Sequence, residues 1–221
     1  MSFNPLYLLL IIPMLLTWWS QSKVRQTYEE YGERPNRLGL SGTEAATRLL
    51  AHLGLSSLRI ERISGYLTDH YDPRKKTLRL SDGVARGSSI TSLGIGAHEV
   101  GHAAQDAQRY RFMRLRTALS RRIGQVTGWS SIAFVGGWIF GVPLLMAFSA
   151  AMMAGMVVFS LVTLPVERNA SDRALKSLEE TGLAAPEEIG GVRKVLRAAA
   201  FTYLTGLGQR LGRLMFFVLL A

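Results

Sequence analysis

Apolar and polar positions along this chain of 221 residues fall into blocks. No residue from Met1 to Gln21 is charged, and none from Ile123 to Val166 is. The second run is about twice the roughly 20 residues that one bilayer crossing needs, so it predicts a transmembrane hairpin over 123–166, turning near Ser149 to Met152. The first predicts an uncleaved N-terminal anchor over 3–19. It lacks a basic start and a small-residue cleavage site, and Trp18 and Trp19 stand where an interfacial aromatic belt would hold the helix. The stretch 198–221 is apolar but interrupted by Arg210 and Arg213, which fits a short fourth span with snorkelling arginines or an interfacial helix.

Between these blocks the pattern is that of a folded polar region over 23–122. Lys23 to Leu40, punctuated by Gly32, Pro35 and Gly39, reads as a juxtamembrane connection. Ser41-Gly42-Thr43-Glu44 opens a helix with Ala45, Ala46, Leu49, Leu50 and Leu53 on one side and Gly54 at its end; His52 falls on its polar flank as a solvated residue. Short alternating runs at Leu58–Ile63 and Thr77–Ser81, either side of a turn-rich Asp69-His70-Tyr71-Asp72-Pro73, predict two or three small strands. One of these could serve as an edge for an extended peptide, or the sheet could be only a lid. Ser88-Ser89 predicts the cap of a helix running to about Ala107, and Arg109 to Arg122 a basic helix along a membrane surface. No glycine or proline marks a bend between them. After the hairpin, 167–197 predicts one helix to Gly182 and the start of another at Pro186.

Charge adds an orientation. Every Lys and Arg lies between Lys23 and Arg122 or between Arg168 and Arg213, so the positive-inside rule places both basic segments in the cytoplasm, with the N-terminus and hairpin tip outside. The net charge of +10 comes without an aromatic and basic platform or a long basic tail, which argues against nucleic acid and for anionic lipid at the membrane surface. The absence of cysteine fits a reducing compartment and removes the common structural zinc sites.

The chemistry concentrates in His98-Glu99-Val100-Gly101-His102, framed by uncharged residues. On a helix the two histidines stand one turn apart on one face and can grip one metal ion, while Glu99 lies about 100° round, beside the open position. Imidazoles suit Zn²⁺, and a neighbouring carboxylate can take a proton from an attacking water. Two histidines are insufficient. A third six residues on is excluded, because position 108 is Gln108, which leaves a later glutamate. Glu167 is the first charge after the hairpin, on the side of the membrane where the histidines must lie; an ion pair with Arg168 is the alternative role for it. His70 and Tyr71 are candidates to donate a hydrogen bond to an oxyanion, or ordinary turn residues. Asp106, one turn beyond His102, is a candidate acceptor for an imidazole N–H, or a surface aspartate.

Leu67-Thr68-Asp69-His70-Tyr71-Asp72-Pro73, the Ser88-Ser89 lead into Ala97-His98-Glu99-Val100-Gly101-His102-Ala103-Ala104-Gln105, and Glu167-Arg168-Asn169-Ala170-Ser171 together resemble the YugP-type bacterial membrane zinc metallopeptidases. More distantly the plan is similar to the HtpX and CAAX prenyl protease group. The resemblance implies one Zn²⁺ held by His98, His102 and Glu167, with Glu99 as general base. The distant group usually has Asp four residues after its glutamate ligand; this chain has Ser171 there and Asp172 one place later, so a supporting role could fall to either, with Arg173 as a further neighbour. The resulting expectation is a mainly α membrane protein of three or four spans, with a gluzincin-like HExxH helix and a small β-sheet. It would be a zinc-dependent endopeptidase of the bacterial inner membrane, cleaving peptides or membrane proteins at the cytoplasmic face. A non-catalytic metal-binding scaffold or an assembly factor is the alternative.

Overall fold

In the computed structural model the helix that begins the chain does not stop at the expected anchor. After a short 3-10 turn at Pro5–Tyr7, α1 runs without a break over Leu8–Gly32. The reason is a buried stripe: Thr27 and Tyr31, one turn apart, are both buried, so the segment predicted to be a connection is helical to Gly32. The structure describes residues 4–123 and 127–220; Phe3 of the expected anchor, 124–126 of the expected hairpin and Ala221 lie outside it.

The described chain divides into two units. One comprises Lys23–Tyr110 and Val166–Ala200, the other Met1–Ser22, Arg111–Pro165 and Phe201–Ala221. In the first, α2 (Gly42–His52) opens on a complete capping box, with the Ser41 hydroxyl accepting from the Glu44 N–H and the Glu44 carboxylate accepting from the Ser41 N–H. A three-stranded sheet follows, β1 (Arg59–Ile63), β2 (His70–Asp72) and β3 (Thr77–Ser81), in the order β1-β3-β2. β3 is parallel to β1 and antiparallel to β2, with Tyr71 opposite Leu78. The central strand buries Leu78 and Leu80 completely, and β2 forms from what looked like a turn because Tyr71 is buried between two more exposed neighbours.

A short α3 (Asp82–Arg86) leads into α4 (Ile90–Ala107), capped by the Ser89 hydroxyl accepting from the Ser92 N–H. α4 is buried almost all round, and its glycines allow that. A Cβ at Gly96 would meet the Gly42 carbonyl of α2 at 2.9 Å, and one at Gly101 would meet the Ala170 carbonyl of α7 (Pro143–Thr181) at 2.4 Å. The bend after α4 needs neither glycine nor proline: Arg109 takes a positive φ of 54°, while the Arg109 and Tyr110 N–H groups donate to the Asp106 and Gln105 carbonyls.

The other unit contains α5 (Arg111–Ile123), α6 (Thr127–Ile139), the apolar part of α7 and the end of α8 (Pro186–Leu220). Phe134, Met146, Met153, Met156 and Phe217 form its core. The hairpin turns at 140–142, not near Ser149–Met152, which lie inside α7. Gly141 has φ 64°, the Val142 N–H donates to the Gly137 carbonyl, and Pro143 starts the next helix, a stronger stop and start than the midpoint of the uncharged run. Pro5–Gly32 and Pro143–Thr181 are long and apolar enough to cross a membrane, whereas Trp129–Ile139 is a shorter apolar helix. α8 is continuous, so no break separates 198–220 from the residues before it.

The close approach at Gly101 predicts that Gly101→Ala destabilises the protein by about 1–3 kcal/mol, because backbone must move. Gly190→Ala, which meets nothing within 4 Å, is expected to be neutral or to stabilise by up to about 1 kcal/mol. Thermal unfolding of the two variants in detergent measures the difference, and equal midpoints would show that α4 and α7 are not tightly apposed.

Candidate metal centre

Because α4 and α7 touch backbone to backbone at Gly101 and Ala170, side chains on either side of that contact meet. His98 Nε2 lies 3.3 Å from Glu167 Oε2, and His102 Nε2 lies 3.5 Å from the same oxygen. One ligand atom from each of the three residues falls within 4.8 Å of the others. The imidazole rings are 4.7 Å apart and nearly perpendicular. Arg168, the alternative partner for Glu167, is exposed.

The far side of each imidazole is also engaged. His102 Nδ1 is 3.0 Å from Gln105 Oε1, and His98 Nδ1 is 3.3 Å from Ser171 Oγ. With the Nδ1 protons directed at these oxygens, both Nε2 lone pairs face Glu167. Gln105 is fully buried, and its amide also donates to the Val166 carbonyl at 2.7 Å and to Asn169 Oδ1 at 3.0 Å. It therefore ties the second histidine to the turn of α7 that carries Glu167. Arg173 extends the chain of contacts, donating to Asn169 Oδ1 at 2.8 Å and to Gln108 Oε1 at 2.7 Å.

Glu99 is 6 % exposed and accepts a hydrogen bond from the backbone N–H of Tyr71 in β2. Its Oε2 has no partner among the described residues. Burial pushes its carboxyl up to about 7, with the His98 imidazole acting in the opposite direction. A buried carboxylate oxygen left open beside two imidazoles and a second carboxylate is a donor set that fits a divalent cation with nitrogen and oxygen preference, and zinc in particular.

The remaining expected residues are placed differently. Asp106 is not the imidazole acceptor: it takes the Tyr71 O–H at 2.8 Å and an ion pair with Lys76, while Gln105, three residues after His102, occupies the position beside the ring. Tyr71 is thereby committed away from an oxyanion, and burial and the Asp106 carboxylate both hold its hydroxyl protonated. His70 is exposed, with Nδ1 2.8 Å from the Thr68 carbonyl and Nε2 3.5 Å from Arg79. Asp172 is exposed, so of the pair after Glu167 it is Ser171 that reaches a histidine. The role of Gln105 was not read from the sequence, although an uncharged amide three residues beyond the second histidine of an apolar helix is the available signal.

No solved structure matches this chain. It is 37 % identical, over 97 % of its own length and 96 % of the other's, to a Bacillus subtilis protein described as "Putative membrane protease YugP". The family described as "Putative neutral zinc metallopeptidase" matches residues 6–221, and the chain belongs to that family.

Proposed function

We propose that the protein is a membrane-embedded zinc endopeptidase that hydrolyses peptide bonds at the cytoplasmic face of the membrane. The observation that carries this reading is the convergence of His98 Nε2, His102 Nε2 and Glu167 Oε2, with Glu99 next along α4, its Oε2 without a partner among the described residues. His98, His102 and Glu167 would hold the metal. Zn²⁺, when bound, supplies a Lewis acid that polarises a carbonyl and activates water. Glu99 would accept the proton of the attacking water and deliver it to the leaving amine. The Tyr71 N–H holds that carboxylate in place, and Gln105 and Ser171 fix the two imidazoles.

Three or four spans with the N-terminus outside are supported by the two long apolar helices, the shorter Trp129–Ile139 and the confinement of basic residues to two segments. The substrates in this reading are peptides or membrane proteins, and the basic surface meets anionic lipid. A metal-binding scaffold would need the three ligands but not Glu99.

Glu99→Gln is expected to keep one zinc per chain and to lose cleavage by about 10²-fold or more, whereas Glu167→Ala loses most of the zinc. Elemental analysis of the purified variants, with fragment profiling of membrane proteins in cells, measures both. Undiminished zinc in Glu167→Ala would remove that residue from the site, and unaltered fragments in Glu99→Gln would favour the scaffold. Gln105→Leu, which keeps the volume but frees the His102 ring, is expected to weaken zinc binding by about 10–100-fold. Competition against a chelator of known affinity reads this directly, and wild-type affinity would assign Gln105 to packing alone.

A further inference from the structure

The unit formed by Met1–Ser22, Arg111–Pro165 and Phe201–Ala221 contains seven arginines, Arg111, Arg114, Arg116, Arg121, Arg122, Arg210 and Arg213, and not one Asp or Glu. Five belong to α5, an amphipathic helix that buries Met113 and exposes Arg114. The other two lie one turn apart in the apolar end of α8, both half-buried. Arg210 donates to Ser160 Oγ at 2.9 Å, while among the described residues the hydrogen-bond partner of Arg213 is Ser131 Oγ, at 3.4 Å. A half-buried guanidinium is costly in apolar surroundings unless an anion meets it, and this unit has no Asp or Glu to do so.

Arg213 also lines a groove of ≈ 450 Å³ in the same unit. Apart from Ser131, its walls are mainly apolar: Leu10, Phe134, Val135, Trp138 and Phe216. The wall beside them is firm, since the Phe134 and Phe217 rings stack at 3.8 Å between centroids. The volume is in the usual range for a small-molecule site, about 300–1,000 Å³. An apolar groove with one cation at a hydroxyl matches an amphiphile bearing one negative charge. A second copy of this unit is a poor occupant, because it would bring arginine to arginine with no Asp or Glu of the unit between them.

We propose that this groove binds one anionic phospholipid, its headgroup phosphate on Arg213 and Ser131 and an acyl chain along Leu10, Val135, Trp138 and Phe216. The inference rests on the reading of this unit as membrane-embedded and is independent of the peptidase chemistry. The phosphate accepts charge-assisted hydrogen bonds from the guanidinium and one from the Ser131 hydroxyl.

The full chain, purified in a nonionic detergent, is offered phosphatidylglycerol or phosphatidylcholine with identical chains, and bound lipid is counted by native mass spectrometry. The expected result is one retained phosphatidylglycerol, favoured about tenfold over phosphatidylcholine. Arg213→Gln abolishes the preference, and Arg48→Gln, which removes one exposed charge from the other unit, keeps it. Val135→Trp fills the trough without touching the arginine and is expected to lose the retained lipid. Equal retention of both lipids, a preference surviving in Arg213→Gln and Val135→Trp, or a lipid-free complex of twice the mass overturns the proposal. Incorporation of the chain into lipid nanodiscs separates its two premises. Failure to incorporate overturns it together with the membrane reading, and incorporation without headgroup preference overturns the lipid site alone.

Discussion

The site depends on one contact, the place where the backbone of α4 at Gly101 meets the backbone of α7 at Ala170. Two helices that carried side chains there would stand further apart. At the observed separation the carboxylate of Glu167, 2 % exposed, reaches both imidazoles at hydrogen-bonding range, and the Gln105 amide spans from one helix to the other. The glycine of the histidine motif is therefore a spacing device, and the side chains of His98, His102 and Glu167 inherit their geometry from it. Burial of Glu99 and Glu167 beside one another is expensive unless positive charge is shared between them, and a divalent cation is the economical way to supply it.

Much of this centre was legible in the residues. The histidine spacing declares its own geometry once the segment is helical, and Ser89 declares where that helix begins. Glu167 could be picked out because it is the first charge after a long uncharged run. What could not be read depended on partners distant in sequence. Asp106 and Gln105 are neighbours on α4, and only the position of α7, with the Val166 carbonyl and Asn169 waiting for an amide, decides that Gln105 serves the histidine and Asp106 serves Tyr71 and Lys76. The strand at His70–Asp72 is similar: its residues favour a turn, and pairing with β3 overrides them.

Helix boundaries failed for a different reason. Uncharged residues report what can sit in an apolar medium but not where a helix turns, so the midpoint of a long run was a poor guide beside Gly141 and Pro143. Likewise the charge that begins at Lys23 marks a change of surroundings, not the end of α1, which keeps a buried stripe to Tyr31. Sequence polarity reads environment, while glycine, proline and buried periodicity read the backbone.

X-ray absorption at the zinc edge tests the central claim most directly, since it sees the ligands themselves. The account predicts a first shell of nitrogen and oxygen only, with scattering from two imidazoles and one carboxylate in the wild-type protein. A shell of water oxygens without imidazole, or one with more than two imidazoles, would contradict it.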